Sequence, residues 1–246
     1  MGIIKDETFD SVTAPALPSG WSFDARFTTS GSLGVGESPT SSPNLLLLTP
    51  TTATTTAFGC WQTLDGNNGD VIVQSNINVV AVASSVSQVG VFARSDTTSP
   101  AISPGHSFYL GRLDYRAPAL TLTAVVNGVS SNIGSVTILD ALSEPQWYSI
   151  LLTCSGTTIS LALQYVSGQW LNASGRFQVG QVTAISGTES SISGQGYAGL
   201  TAASNTLTDY CLFDDWVLSG GSSPTAFPPQ PNVVRLPYQY YREWME

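Results

Sequence analysis

The sequence predicts an all-β protein, a two-sheet antiparallel β-sandwich followed by an extended, Pro-rich and aromatic C-terminal arm. Residues 146–171 contain two apolar runs that alternate at period two on either side of a short polar turn. About a dozen short segments of this kind follow one another along the chain, separated by turn residues. No segment has the apolar spacing and the caps of an amphipathic helix. We therefore expect a protein built from strands alone.

The hairpin predicted within residues 146–171 shows why a second layer is needed. Alternate side chains of a strand point to opposite faces, so each run has one apolar face. The turn Ser155–Gly156–Thr157 carries a glycine where a tight hairpin needs a positive φ. Another sheet must cover the apolar face, which consists of Tyr148, Ile150, Leu152, Cys154, Ile159, Leu161, Leu163 and Tyr165.

The remaining strands are predicted in chain order from the same alternation and from the turns between them. A dense turn signal at 65–70 and the hairpin dipeptide Asn127–Gly128 separate several of them. The predicted strands lie near residues 7–10, 21–27, 45–48, 58–64, 71–83, 89–94, 107–114, 119–126, 136–139, 177–185, 196–202 and 211–218.

The charge of the chain disfavours two classes of binding partner, and its cysteine content indicates the compartment in which it folds. The chain of 246 residues has a net charge of −9 and a sequence pI of about 4.3, which disfavours binding to nucleic acid or to anionic lipid. No apolar run is long enough for a membrane helix. Cys60, Cys154 and Cys211 form no CxxC pair, and we interpret them as buried thiols. Their odd number and the lack of a signal peptide favour folding in a reducing cytoplasm.

The composition changes at the end of the predicted sandwich. We assign residues 1–218 to the sandwich, 219–232 to a Gly/Ser/Pro-rich linker and 233–246 to an aromatic arm. Aromatic and arginine side chains are enriched at interface hot spots. The arm either folds back on its own domain or docks on another subunit or protein, through Arg235, Tyr238, Tyr240, Tyr241, Arg242 and Trp244.

Six short motifs, taken in order, resemble the concanavalin A-like jelly roll in its laminin G-like branch. They are ETFD at 7–10, GVFARSD at 90–96, FYL at 108–110, QWY at 146–148, GYAGL at 196–200 and FDDWV at 213–217. The resemblance implies two face-to-face antiparallel sheets about 10 Å apart, with residues 7–10 beside 213–217. The family includes glycan-binding domains, glucanases and non-enzymatic coat or adhesion modules, and fold alone does not choose among them.

We find no catalytic residues. The glucanases of this fold cluster acidic residues on one strand, whereas Glu37, Glu144 and Glu189 are isolated. The adjacent carboxylates Asp214 and Asp215 should point to opposite faces of a strand.

The candidate ligand residues are few. A calcium site that uses Asp214 or Asp10 is the lesser interpretation of the acidic residues. The single histidine, His106, has no nucleophile motif or zinc-ligand spacing around it. Trp61 and Trp170 lie near turns and either pack in the core or stack on a sugar ring.

The first hypothesis for function is a non-enzymatic structural or attachment protein. Its few charges, its Ser/Thr/Gly-rich sandwich and its aromatic arm resemble accessory coat or tail proteins of tailed bacteriophages. Such a protein would be made in the host cytoplasm and carried on the virion. It would bind other virion proteins or copies of itself. The alternative is a lectin-like carbohydrate-binding module, on a virion or extracellular. A glucanase is the third hypothesis, and no resident cofactor is expected under any of the three.

Overall fold

The computed structural model describes residues 2–9, 19–23, 27–31, 44–48, 55–61, 70–80, 87–97, 104–142, 147–165, 167–192, 196–204 and 210–220. Within these ranges it contains seventeen strands and no helix, and therefore no helix that could cross a membrane. The strands are β1 Gly2–Glu7, β2 Trp21–Phe23, β3 Phe27–Gly31, β4 Asn44–Leu48, β5 Thr55–Trp61, β6 Val71–Val80, β7 Ser87–Ser95, β8 Phe108–Asp114, β9 Ala119–Val126, β10 Val129–Thr137, β11 Trp147–Ser155, β12 Thr158–Tyr165, β13 Trp170–Leu171, β14 Phe177–Gln178, β15 Ile185–Thr188, β16 Tyr197–Ser204 and β17 Tyr210–Gly220.

The strands form two antiparallel sheets, which confirms the predicted all-β sandwich. The larger sheet has the order β14-β13-β12-β11-β6-β17-β4-β3, with β1 also paired to β17 and β15 to β12. The smaller sheet has the order β10-β9-β8-β7-β16-β5-β2. The first and last strands are neighbours, as the resemblance implies, because Glu7 lies opposite Trp216.

The predicted central hairpin is confirmed in detail. Strands β11 and β12 pair from Tyr148 opposite Tyr165 to Ser155 opposite Thr158, so the turn contains only two residues. Gly156 has a φ of 54°, and a positive φ at the first turn position is typical of a type II′ turn. Of the eight alternating side chains predicted to face inward, seven belong to the buried cluster between the sheets and Tyr165 packs against it.

Close packing between the sheets depends on small residues at a few positions. A Cβ atom on Gly111 of β8 would lie 2.4 Å from Leu161 Cδ1 of the opposite sheet, so glycine permits the contact. Cys154 and Cys211 are buried free thiols, as predicted, while the side chain of Cys60 lies outside the described residues. Burial raises the pKa of the Cys154 thiol to about 12, so the group is neutral and packs as a small apolar side chain.

Two of the β-bulges turn a large side chain towards the core. In β17 the register shifts between Asp214 and Val217, where Asp215 has a φ of 45°. The extra residue turns Trp216 into the core, where its ring lies 4.8 Å from that of Trp21. In β7 a similar shift at Arg94, with a φ of 52°, turns the guanidinium inward over the ring of Tyr109.

Several boundaries differ from the predictions. The predicted strand at 7–10 lies earlier, as β1, and the predicted strand at 21–27 is β2 followed by the start of β3. The single strand predicted at 177–185 is two short strands, β14 and β15, joined by a loop. The predicted strand 136–139 overlaps the last two residues of the longer β10. Strand β17 continues to Gly220, two residues past the predicted end of the sandwich at 218, because Gly220 pairs with Gly2 and Val71. The linker beyond Gly220 and the arm at 233–246 lie outside the described residues.

Candidate functional site

The outer face of the larger sheet, which points away from the core, carries a row of polar side chains. Alternation in β6, β11, β12 and β17 places these residues opposite the core-facing set. The strand register aligns Asp214, Asn76, Ser149, Gln164 and Trp170 across five neighbouring strands. The four polar members have at most 9% of their surface exposed. Buried polar side chains are generally hydrogen-bonded to other groups of the protein or to water.

One part of the row is a hydrogen-bonded chain. Ser149 Oγ donates to Asn76 Oδ1, and Asn76 Nδ2 donates to Asp215 Oδ2 at 2.9 Å. The backbone N–H of Asp215 donates to Asp214 Oδ1, also at 2.9 Å. The expectation that the two carboxylates point to opposite faces is wrong, because the bulge at Asp215 turns both towards Asn76.

The other part of the row leaves hydrogen-bonding atoms open. Asn78 is fully buried, and neither its Oδ1 nor its Nδ2 has a partner. Trp147, which lies opposite Asn78 in the register of β6 and β11, has an open Nε1. Gln164 has an open Oε1. Leaving such atoms unsatisfied costs about 1–3 kcal/mol each, so these positions are suited to a buried water molecule.

A small pocket opens on the same face, next to the polar row. The loop that joins β14 to β15 crosses the outer face and places Val182 against an apolar cluster of Ile72, Leu151, Ala162 and Trp170. The cavity beneath this loop has a volume of about 70 Å³. Its apolar wall is formed by Leu151, Ala162 and Val182, and its polar rim by Thr153, Ser160, Gln181 and Thr183.

The structure does not bring the two predicted tryptophans together. Trp170 lies on the outer face of the larger sheet with 5% of its surface exposed, packed in the apolar cluster. Trp61 ends β5 in the smaller sheet, opposite Trp21 and Ala198, and its side chain lies outside the described residues. The six predicted docking residues of the arm, Arg235, Tyr238, Tyr240, Tyr241, Arg242 and Trp244, also lie outside them.

The sequence did not single out the amide and hydroxyl residues of the outer face. The available signal was the run of polar residues Gln74, Asn76 and Asn78 at alternate positions of the otherwise apolar strand β6. Polar residues at period two on a strand ordinarily indicate a solvated face. Their burial is visible only in the folded chain.

Two of the described carboxylates, Asp140 and Glu189, are poorly suited to act as a general acid. A general acid at neutral pH needs a raised pKa. The N–H of Phe177, and then the Arg176 guanidinium, instead lower the pKa of Asp140. Hydrogen bonds from Ser191 lower the pKa of Glu189. Glu37 and Glu144 lie outside the described residues.

The described residues also fit a metal ion poorly. Among them, no group of three His, Cys, Asp or Glu side chains could hold one. Asp214 and Asp215 each direct a carboxylate oxygen to an N–H donor of the protein, and Asp10 lies outside the described residues. His106 precedes β8, where its carbonyl accepts the N–H of Gly128 at 2.8 Å. We therefore derive no step that involves a calcium ion.

Comparison with known proteins identifies the fold. No protein-family model matches the chain, and no curated protein matches it. Among solved structures it is similar to carbohydrate binding module CBM66 from Bacillus subtilis, with 13% identity, a TM-score of 0.53, and coverage of 82% of this chain and 96% of that chain. It is similar to lectin II from Ulex europaeus, with 10% identity, a TM-score of 0.55, and coverage of 89% and 99%.

Other similar structures include a Ca²⁺/Man-bound domain and two GH43 proteins. The Ca²⁺/Man-bound exoplasmic domain of VIP36 has 10% identity and a TM-score of 0.57, with 89% of this chain and 90% of that chain covered. The matches to the GH43 proteins BlXynB from Bacillus licheniformis and GH43B from Bacteroides ovatus cover only 39% of those chains. The chain thus shares the two-sheet β-sandwich fold of these structures, and at this identity the likeness establishes the fold alone.

Proposed function

We propose that this protein is a non-enzymatic carbohydrate-binding module that holds its glycan on the outer face of the larger sheet. The observation that carries the proposal is the pocket between the sheet and the β14–β15 loop, with its apolar wall and polar rim. A pyranose ring presents a C–H face to apolar side chains and hydroxyl groups to polar ones. Binding sites for small molecules commonly combine these two kinds of surface.

The rim supplies the hydrogen bonds that such a ligand needs. Thr153, Ser160 and Thr183 each offer a hydroxyl group that donates and accepts, and Gln181 offers an amide. A cavity of about 70 Å³ is smaller than a whole sugar ring, so we expect a shallow subsite that holds part of one residue.

The similar structures and the electrostatics support a binding role over hydrolysis. One of those structures is named as a carbohydrate binding module and one as a lectin, and a third is a Man-bound form. The lowered pKa values of Asp140 and Glu189 keep both carboxylates ionised, which suits neither as a general acid.

The proposal is tested with a broad glycan array followed by titration calorimetry. The double variant Gln181→Ala/Thr183→Ala removes two exposed rim groups, and Thr137→Ala, exposed on β10, is the matched control. We expect the double variant to weaken binding about tenfold or more and the control to bind as the parent does. Trp170→Phe should bind more weakly than the parent if this ring also shapes the site.

Two results would contradict the proposed site or function. Silence across the array would remove the carbohydrate-binding function. Binding that survives the double variant but is lost in Trp61→Ala would move the site to the smaller sheet.

The virion role stays a separate prediction from the sequence. It rests on the Pro-rich stretch and on the aromatic arm at 233–246, both beyond the described residues. A glycan-binding domain carried on a particle would serve attachment to a surface, so the two hypotheses are compatible.

A further inference from the structure

Strand β10 is an exposed edge of the smaller sheet. Its only strand partner in the described chain is β9, to which it is joined by the two-residue turn Asn127–Gly128. Val126 and Val129 close this turn, and the hydrogen bonds of an antiparallel ladder then alternate along the strand. The backbone N–H and C=O groups of Ser130 and Asn132 therefore point away from β9, and both residues are exposed.

The edge lacks the features that normally prevent pairing with another strand. Natural edges are protected by lysine, proline or bulges. None of the nine residues of β10 is charged or proline, and no charged residue occurs between Arg116 and Asp140. The bulge of β10 lies between Asn132 and Gly134, so Val129 to Asn132 form a regular, unprotected segment.

Exposed apolar side chains lie on the same flank of the sandwich, which we define as the side formed by β10 and β15. Ile133 and Gly134 of β10 pack on Gly187 and Ile185 of β15, so these two strands line one side of the molecule. The large hydrophobic side chains that are exposed among the described residues lie on this side: Val129 at 70%, Leu139 at 57% and Val179 at 87%. Leu139 follows β10 and Val179 follows β14.

We propose that this flank binds a second copy of the chain by antiparallel pairing of the two β10 strands. A two-fold axis through Ser131 places Ser130 opposite Asn132 of the partner subunit, and each pair can exchange two backbone hydrogen bonds. The two smaller sheets then form one continuous sheet. A chain of net charge −9 repels its copies elsewhere, whereas this flank brings an uncharged strand against an uncharged strand.

The inference is tested by sedimentation velocity on the full chain over about 1–500 μM, a range that covers weak dimers. Ser131→Glu puts two like charges together at the axis and should weaken the dimer about tenfold or more. Ser22→Glu is the matched control, because Ser22 is also exposed but lies in β2 at the opposite edge of the same sheet. Both variants add the same charge, so a general effect of charge would weaken the dimer equally in both.

The expected result is a wild-type dimer that Ser131→Glu dissociates and Ser22→Glu leaves intact, with unchanged thermal unfolding of the monomer. A chain that is monomeric up to the highest concentration overturns the inference. A dimer that Ser131→Glu does not weaken, or that Ser22→Glu weakens equally, also overturns it. None of these outcomes depends on whether the protein binds a glycan.

Discussion

The guanidinium of Arg94 connects three segments at one end of the sandwich, and its removal should be costly. Only 3% of this side chain is exposed. Nη1 donates to the carbonyl oxygens of Gly156 at 2.8 Å and Ile192 at 3.3 Å, and Nη2 lies 3.4 Å from Asp70 Oδ1. The group also lies 5.9 Å from the ring centroid of Tyr109. Arg94 thus joins the central hairpin turn to the loop at Ile192 and to the start of β6.

The substitution Arg94→Met keeps the length of the side chain and removes the charge. It removes the cationic donor from the carbonyl oxygen of Ile192 and from Asp70, whose side chain is 27% exposed. Breaking a fully buried pair costs about 3–5 kcal/mol, so we expect a loss at the lower end of this range, about 3 kcal/mol. Methionine and arginine are both unbranched at Cβ, so the positive φ at this position should cost the two residues similarly. For a domain of this size the loss corresponds to a fall in Tm of about 10 °C.

A second ion pair provides the control. Arg176 Nη1 lies 2.7 Å from Asp140 Oδ1, closer than the Arg94 pair, but 59% of the Arg176 side chain is exposed. Exposed ion pairs contribute about 0–1 kcal/mol, so Arg176→Met should have little effect. Urea unfolding of both variants measures the difference in the free energy of unfolding. Equal destabilisation of the two variants, or destabilisation of Arg94→Met by less than about 1 kcal/mol, would show that burial does not decide how much each ion pair contributes to stability.

Two further predictions concern acid stability and packing. The N–H of Phe177 and the Arg176 guanidinium lower the pKa of Asp140 from 3.8. The contribution of this carboxylate to the free energy of unfolding is therefore complete above pH 3.8, and it is lost as the pH falls through the lowered pKa of the folded state. Urea unfolding should show a shallower loss of stability below about pH 4 in Asp140→Asn, and an unchanged slope would contradict this. Gly111→Ala should cost about 1–3 kcal/mol because its Cβ would overlap Leu161. Leu161→Val should recover part of that loss in a double-mutant cycle, and strict additivity would show that the two sites do not touch.

The strands were predictable where apolar and polar residues alternate along the sequence. In β11 and β12 the alternate apolar residues face the other sheet, so local sequence was sufficient for the hairpin and its turn, although most of β11 is buried on both faces. The same reasoning read residues 177–185 as one strand, because the valines and the threonine of its loop have strand propensity. Residues 181–183 of that loop line the pocket, so the pocket could not be predicted from the sequence.

The bulges and the polar row depend on partners that are distant in the chain. Asn76 and Asp215 are separated by 139 positions, and their hydrogen bond exists only because β6 and β17 pair in one register. Arg94 belongs to a residue type that rarely adopts a positive φ, and Asp215, although Asp adopts it more often, lies in an apolar segment with no glycine or proline next to it. The sequence therefore predicted which segments are strands better than where the site lies.

The pairing of β1 with β17 places the first and the last residues of the sandwich next to each other. Gly2 lies opposite Gly220, and directly paired residues of antiparallel strands have Cα atoms about 5 Å apart. A short peptide can therefore join these two positions and leave both sheets as they are. New chain ends can then be opened in an exposed turn such as Gly156–Thr157, as circular permutation requires.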